Sequence, residues 1–367
     1  MNKLARYIII VAVIAVICFL AWCFRDILTY VLIAAVISII GKPLVHAIAK
    51  VRIKNKRIPQ SLCAAISLLT IWAVFLAFFV LLVPAGINLV NQLSNINMDQ
   101  FIADMSSALN SFQVWLIANV PGISSDFSLS QTAADALTKM FQNVEIVNVF
   151  GSLTNSIISF IWGAFVISFI AFFFLKEEDL FSQAVMMLFP ERYEKDASVA
   201  LNSAITLLTR YFIGIFIEMF CLMTLVTLGL TIFAGLPFKI AIVLGLLSGI
   251  LNVIPYIGSI ASTLIGILIG VLVGVNSLGA DFWSMATTMA LVYVVAQTID
   301  VAIFQPIIYS KSVRSHPLEI FIVLLVAGSI GGILGMLIAI PSYTVLRVFA
   351  KQFFNQFRLV QKLTERM

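Results

Sequence analysis

Charge is what this sequence has least of. Asp, Glu, Lys and Arg make up 11% of its 367 residues, where soluble domains carry about 25%. Hydrophobic residues reach 62% and the mean hydropathy is +1.10, so a water-soluble fold is excluded. Between Lys239 and Asp281, and again between Glu319 and Arg347, tyrosine is the sole titratable type. A membrane-crossing helix needs about 20 apolar residues. Histidine is scarce too. His46 and His316 sit at membrane edges with no second histidine or cysteine beside them, so no metal site is expected. Cys18, Cys23, Cys63 and Cys221 all fall in apolar segments and read as reduced, buried thiols. Enzyme signatures are missing: there is no P-loop, His-Glu-x-x-His or Gly-x-Ser-x-Gly. No enzyme activity and no cofactor are therefore expected, and any work would draw on gradients, with H+ or Na+ as candidate coupling ions. The net charge of +5 lies mostly in loops beside spans, as the positive-inside rule expects. Membrane lipid, not nucleic acid, is the expected partner.

What is present orders the spans. Lys3 and Arg6 precede an apolar run that resembles a signal peptide, but no small-residue cleavage site follows, so an uncleaved first helix is expected. Trp22 likewise spoils a lipoprotein box at Leu20–Cys23. The first span is expected over Tyr7–Phe24 and the second over Ile27–Pro43. The loop Lys42–Arg57 holds six basic residues and no acid, which makes it and the N-terminus cytoplasmic. A third span, Ser61–Val83, closes an N-terminal region, 1–83. Residues 84–150 turn acidic and Asn/Gln/Ser-rich, and Leu109, Phe112, Trp115 and Leu116 recur at helical spacing. This predicts a small extracytoplasmic domain of amphipathic helices. A fourth span, Leu153–Leu175, returns inward and leads, within 151–210, to a charged cytoplasmic segment carrying an amphipathic helix on the membrane face. A fifth span covers Tyr211–Phe233 and a sixth Phe282–Phe304.

Residues 211–346 contain an echo. Tyr211, six residues and Glu218 match Tyr293, six residues and Asp300; Leu236-Pro237 through Leu244 matches His316-Pro317 through Leu324. Each copy then meets a small-residue break and a later proline, Pro255 or Pro341. The loop 305–316 and the tail 347–367 are both basic and so both cytoplasmic. The apolar stretch 318–346 therefore starts and ends on one side, and at about 1.5 Å per residue it is too short to cross twice. A re-entrant helical hairpin follows, with a mirror-related one over 239–274. The fold class is thus all-α and polytopic: about six full spans plus two re-entrant hairpins in an inverted repeat, an architecture of secondary transporters. Leu318–Leu346 as one tilted span, with the tail outside, is the rival layout.

Carboxylates inside spans mark ion or solute paths by default. That singles out Glu218 and Asp300, with Gln297 one turn before the latter. Asn252, Pro255, Tyr256 and Ser259 at the first break and Ser329 at the second are candidates to cradle a polar solute, since broken helices expose oriented N–H and C=O groups. The opposing reading pairs Asp300 structurally with Lys311 or Arg314. Pro237, Gly258, Gln305, Pro306, Pro317, Gly331, Gly332 and Pro341 are expected to shape or gate the breaks, and His316 to cap the second hairpin. The spacings Gly245/Gly249, Gly266/Gly270/Gly274 and Gly331/Gly335 suit helix-packing faces.

Asn252-Val-Ile-Pro-Tyr-Ile-Gly258, Gln297-x-x-Asp300, Gln305-Pro306-x-Ile-Tyr309-Ser-Lys-Ser-Val313, His316-Pro317-Leu318 and the glycine-rich run to Pro341 resemble the AI-2E family of transporters, the autoinducer-2 exporter or PerM-like permeases. The resemblance covers essentially the whole chain and is most specific in these C-terminal motifs. It implies a homo-oligomeric protein of the bacterial cytoplasmic (inner) membrane that moves small polar solutes. Some relatives are associated with autoinducer-2 export and others with sodium/proton antiport. The leading expectation is a secondary exporter of small polar solutes such as autoinducer-2. A cation/proton antiporter and a non-transporting membrane scaffold remain the alternatives.

Overall fold

The computed structural model describes residues 19–20, 22–53, 56–94, 98–119, 146–177, 179–187, 189–309 and 316–355, with a few single positions besides. The described fold is all-α except for one two-residue antiparallel ladder, Arg52–Ile53 (β1) with Lys56–Arg57 (β2). Its helices are α1 Arg25–Ala49, α2 Gln60–Ser94, α3 Met98–Asn119, α4 Ile146–Lys176, α5 Leu180–Met186, α6 Glu194–Ile232, α7 Phe238–Leu251, α8 Ile257–Leu278, α9 Phe282–Ile299, α10 Gln305–Tyr309 and α11 Pro317–Phe354. Six stretches among them are long and apolar enough to cross a bilayer: Arg25–Ala49, Gln60–Val80, Glu191–Ile232, Ile257–Leu278, Phe282–Ile307 and Leu318–Phe354. The protein is a multi-pass membrane protein. The span expected over Tyr7–Phe24 lies largely outside the described residues.

Two boundaries differ from expectation. The helix that carries the third span does not stop at Val83 but runs through Pro84 to Ser94, beyond the apolar stretch Gln60–Val80; a proline forfeits one backbone bond, which a long helix tolerates. Between residues 176 and 210 the helix α5 has seven residues, and from Glu194 the chain is already in α6, continuous with the fifth span. Among the cysteines, Cys63 is buried, Cys221 half-buried, and Cys23 exposed, against the expectation of burial; all three are free thiols.

The chain divides into two compact units, residues 1–75 with 152–205 and residues 76–151 with 206–367. In the first, small residues bring helices together: Ala34, Ala35 and Ala171 bury Phe174, and Val45, Cys63 and Ala64 bury Leu175. Trp72 Nε1 donates to Ser168 Oγ at 2.9 Å, giving a half-buried indole the partner it needs.

In the second unit, Phe101 and Met105 of α3 join Leu222, Val226 and Leu230 of α6, Leu244 of α7, Leu272 of α8 and Met289 of α9 in one apolar cluster. Glycine seams set the close approaches. A Cβ on Gly245 or Gly249 would overlap the backbone of α6 at Met223 or Met219, and Thr227 Oγ1 already lies 3.4 Å from the Ala241 carbonyl. On the other flank, Gly266, Gly270 and Gly274 of α8 receive Tyr293, Met289 and Met285 of α9 in descending order. The two helices therefore run antiparallel. Small residues are what membrane helices use for such contact.

Two helical hairpins follow the repeat. In the first, α7 and α8 meet at residues 252–256. In the second, α11 is two arms, because Gly332 takes φ 57° and ψ −142° and breaks the helix. Straight, a helix of this length would hold Glu319 and Tyr343 about 36 Å apart. Instead the Tyr343 hydroxyl donates to Glu319 Oε1, and a Cβ on Gly335 would overlap the Ala327 carbonyl. The arms, 317–331 and 333–354, fold back on one another.

Candidate functional site

The two acids of the repeat meet. Gly229 of α6 faces Val292 of α9; moving down α6 to Glu218 is matched by moving forward along α9 to Asp300. The antiparallel helices thus carry their carboxylates to one level. Asn252, the first residue after α7, sits between them. Its Nδ2 donates to Glu218 Oε1 at 3.1 Å and to Asp300 Oδ2 at 3.2 Å. Both hydrogens of one amide are spent on two carboxylates, which it holds side by side. Ser259 Oγ donates to Asn252 Oδ1 at 2.6 Å and fixes which way the amide faces. Gln305 Nε2 adds a second donor to Asp300 at 2.9 Å. Exposure is 0% for Asp300 and 3% for Glu218 and Asn252.

Local sequence explains how these groups are aimed. Pro306 has no N–H to offer the Ala302 carbonyl. The chain answers with a π-helical turn, Asp300–Phe304, in which Gln305 N–H reaches back to the Asp300 carbonyl. Such widened turns re-aim side chains, and this one brings Gln305 onto Asp300. The first hairpin turns on Tyr256, whose φ of 64° and ψ of −56° describe a γ-turn closed by Ile257 N–H to the Pro255 carbonyl at 2.8 Å. That conformation is rare and strained for a residue with a side chain. Gly258 is required beside it, because a Cβ there would overlap the Leu251 carbonyl. The tight reversal brings Ser259 back against Asn252.

The charge balance is unusual for a membrane core. One oxygen of Asp300, Oδ1, is buried with no hydrogen-bond partner. Two negative charges so close in an apolar surround repel strongly, so the pair is suited to hold a proton or a cation between its oxygens. No described cluster of three or more His, Cys, Asp or Glu offers a metal site.

Glu218, Asp300, Asn252, Ser259 and Gln305 are brought together, with Pro255, Tyr256 and Gly258 forming the turn that carries them. Gln297 lies one turn from Asp300 with both amide atoms buried and unpartnered. Pro237 starts α7, its carbonyl accepting from Ile240 and Ala241. His316 Nδ1 caps α11 by accepting from Leu318 N–H at 3.3 Å, with Pro317 in the first turn and Glu319 answering in a capping box. Pro341 lies inside the second arm. Ser329 does not join the site: it is exposed and donates to Val326 in its own arm. Gly331 packs against nothing, unlike the other spaced glycines, and Gly332 turns in open space. Lys311 and Arg314 lie outside the described residues.

Sequence reasoning missed one cluster, at the base of the second hairpin. Glu319 accepts from Tyr343 and acts electrostatically on Arg347, which is 6% exposed although charged. The signal was available: if the hairpin folds at 331–332, positions 319 and 343 must face each other.

With this geometry in view, the relatives are informative. The sequence pattern that defines the AI-2E family transporter matches residues 7–355. The chain is 27% identical over 349 residues to YueF of Bacillus subtilis (strain 168), a protein provisionally described as a transport protein, covering 91% of this chain and 85% of that one. It is also 30% identical over 194 residues to YrrI of the same organism, described in the same way, covering 51% of this chain and 50% of that one.

Proposed function

The chain belongs to the AI-2E family of transporters, and from that premise we propose that it is a secondary transporter exporting small polar solutes, autoinducer-2-like molecules among them, across the bacterial cytoplasmic membrane. One observation carries the reading: a single amide, at the break of a helical hairpin, bonded to two buried carboxylates from antiparallel helices. Membrane proteins bear the cost of burying such groups where ions or solutes pass. A proton or cation arriving at the pair replaces one of the Asn252 bonds. The break at 252–256 is then freed from Glu218 or Asp300, and the hairpin responds to the load. In this reading the two hairpins are re-entrant from opposite faces, both termini are cytoplasmic, and the protein works as a homo-oligomer.

Sodium/proton antiport is the second reading, favoured by the unpartnered Asp300 Oδ1. Flux of labelled autoinducer-2 into proteoliposomes, with proton or sodium gradients imposed, separates the two. For solute export, Asp300→Asn is expected to abolish gradient-driven accumulation while leaving downhill exchange. If Asp300→Asn leaves both flux and its gradient dependence untouched, the coupling role is wrong. Sodium-dependent proton movement without solute flux moves the assignment to antiport.

A further inference from the structure

Two grooves of similar size indent the second unit, and they differ in chemistry. One, of about 510 Å³, lies between α6 and α9 and offers Thr288 as its one polar side chain. The other, of about 570 Å³, lies on α8 and α9 and contains Ser259, Thr263, Gln297 and Thr298. Both fall in the volume range of small-molecule sites, too small for a whole phospholipid. A bare acyl chain satisfies the first groove. It does not satisfy the second.

The reason is Gln297. Thr298 Oγ1 donates to the Val294 carbonyl at 2.7 Å, and Ser259 Oγ donates to Asn252. The Gln297 carboxamide, by contrast, has neither its oxygen nor its nitrogen bonded, though both are shielded from the surface. A buried amide left unpaired in an apolar surround is strongly disfavoured. The side chain lines the groove, and turned into it the amide would be satisfied by an occupant that both donates and accepts, as a hydroxyl or an amide does. The groove's lining carries no charged side chain, so a charged head would lie unpaired. Its rim is Ile260, Leu264, Val294 and Val301, all more than half exposed, on apolar helices of membrane length. The mouth therefore opens toward lipid.

We infer that this groove binds a neutral, hydroxyl-bearing amphiphile that enters sideways from the bilayer, its apolar part against Ile260, Leu264, Val294 and Val301 and its hydroxyls on Gln297 and Ser259. Ser259 is the link to the acid pair. An occupant hydroxyl that takes the Ser259 proton competes with Asn252 Oδ1, so occupancy is felt one bond away from Glu218 and Asp300. The inference rests on the transport reading for the ligand's passage but not for its binding.

The test uses the full chain in lipid nanodiscs and two diazirine photoprobes of equal chain length, a monoacylglycerol and a plain alkane, with labelled peptides read by mass spectrometry. The monoacylglycerol is expected to label residues 257–264 and 294–302, and unlabelled monoacylglycerol should compete. Gln297→Leu should weaken that competition about tenfold, the worth of one good hydrogen bond. The alkane should label the α6–α9 groove alike in the two proteins and the α8–α9 groove only weakly, and its labelling of the α6–α9 groove reports that the variant is folded. If Gln297→Leu fails that check, Gln297→Met is the replacement. Equal labelling by both probes, or unchanged competition in the variant, overturns the proposal in favour of ordinary lipid chains. Protection from both probes with cross-links between subunits overturns it in favour of a second copy of the chain. Binding is read without flux, so its failure leaves the transport reading standing.

Discussion

The first hairpin turns inside the protein, on a strained Tyr256 beside a glycine that tolerates no side chain, and its Asn252 is bonded to two acids from other helices. The second turns on Gly332 in open space, with Ile330, Ile333 and Leu334 each at least 70% exposed around it. Its polar contacts are at the opposite end, where Glu319, Tyr343 and Arg347 tie the arms together. Two segments that begin with the same Pro-x-x-Ile-x-Ile-Val-Leu pattern thus put their bonds in opposite places. One is wired at its break and the other at its base. Repetition of sequence predicts repetition of backbone path; it does not predict which end of the path carries polar work.

The sharpest way to break this contrast is Asn252→Leu. It leaves two buried carboxylates without their shared donor, a loss of about 3–5 kcal/mol by analogy with buried pairs stripped of a partner. Thermal unfolding in detergent should fall steeply, and adding Asp300→Asn should restore part of it. An unchanged melting temperature would mean that the first break is not held by the acids. Next in size is Gly258→Ala, whose Cβ overlaps the Leu251 carbonyl and should cost about 1–3 kcal/mol through overpacking. Its counterpart Gly331→Ala meets nothing within 4 Å. Loss of stability in both variants would erase the distinction between a packed and an open turn. Between them lies Tyr343→Phe, expected to cost about 1 kcal/mol and to widen the distance between spin labels placed on the two arms near residues 322 and 342. If the labels do not separate, the base is held by apolar packing alone. Gly331→Ala itself should fall within about 0.5 kcal/mol of the parent, the smallest effect of the set.

Much of this was legible in the sequence because membranes leave few options for polar groups. Glu218 and Asp300 stood out as acids in uncharged runs, and Asn252 and Ser259 as polar residues at a break. That one amide bonds to both acids was not legible. The partners lie 34 and 48 residues from Asn252, and no local pattern encodes a contact at that range. The fold-back of α11 was readable from charge on its flanks, whereas the place of Ser329, exposed and apart from the acid pair, was not, because a glycine-rich break looks the same whether buried or exposed. Hydropathy marks the span and not the helix: α2 continues past Pro84 although the apolar run ends near Val80.

The seam between α8 and α9 has a mechanical consequence. Gly266, Gly270 and Gly274 are three equal notches, four residues apart, that seat Tyr293, Met289 and Met285. Sliding α8 by four residues, about 6 Å, moves each tooth to the neighbouring notch and leaves two of the three seated. Intermediate positions drive a side chain into a ridge. Such a surface moves by detents, as a ratchet does, and each step would cost the bond between Ser248 and the Tyr293 hydroxyl. Any displacement of the first hairpin along α9 is therefore quantised by the spacing of its glycines.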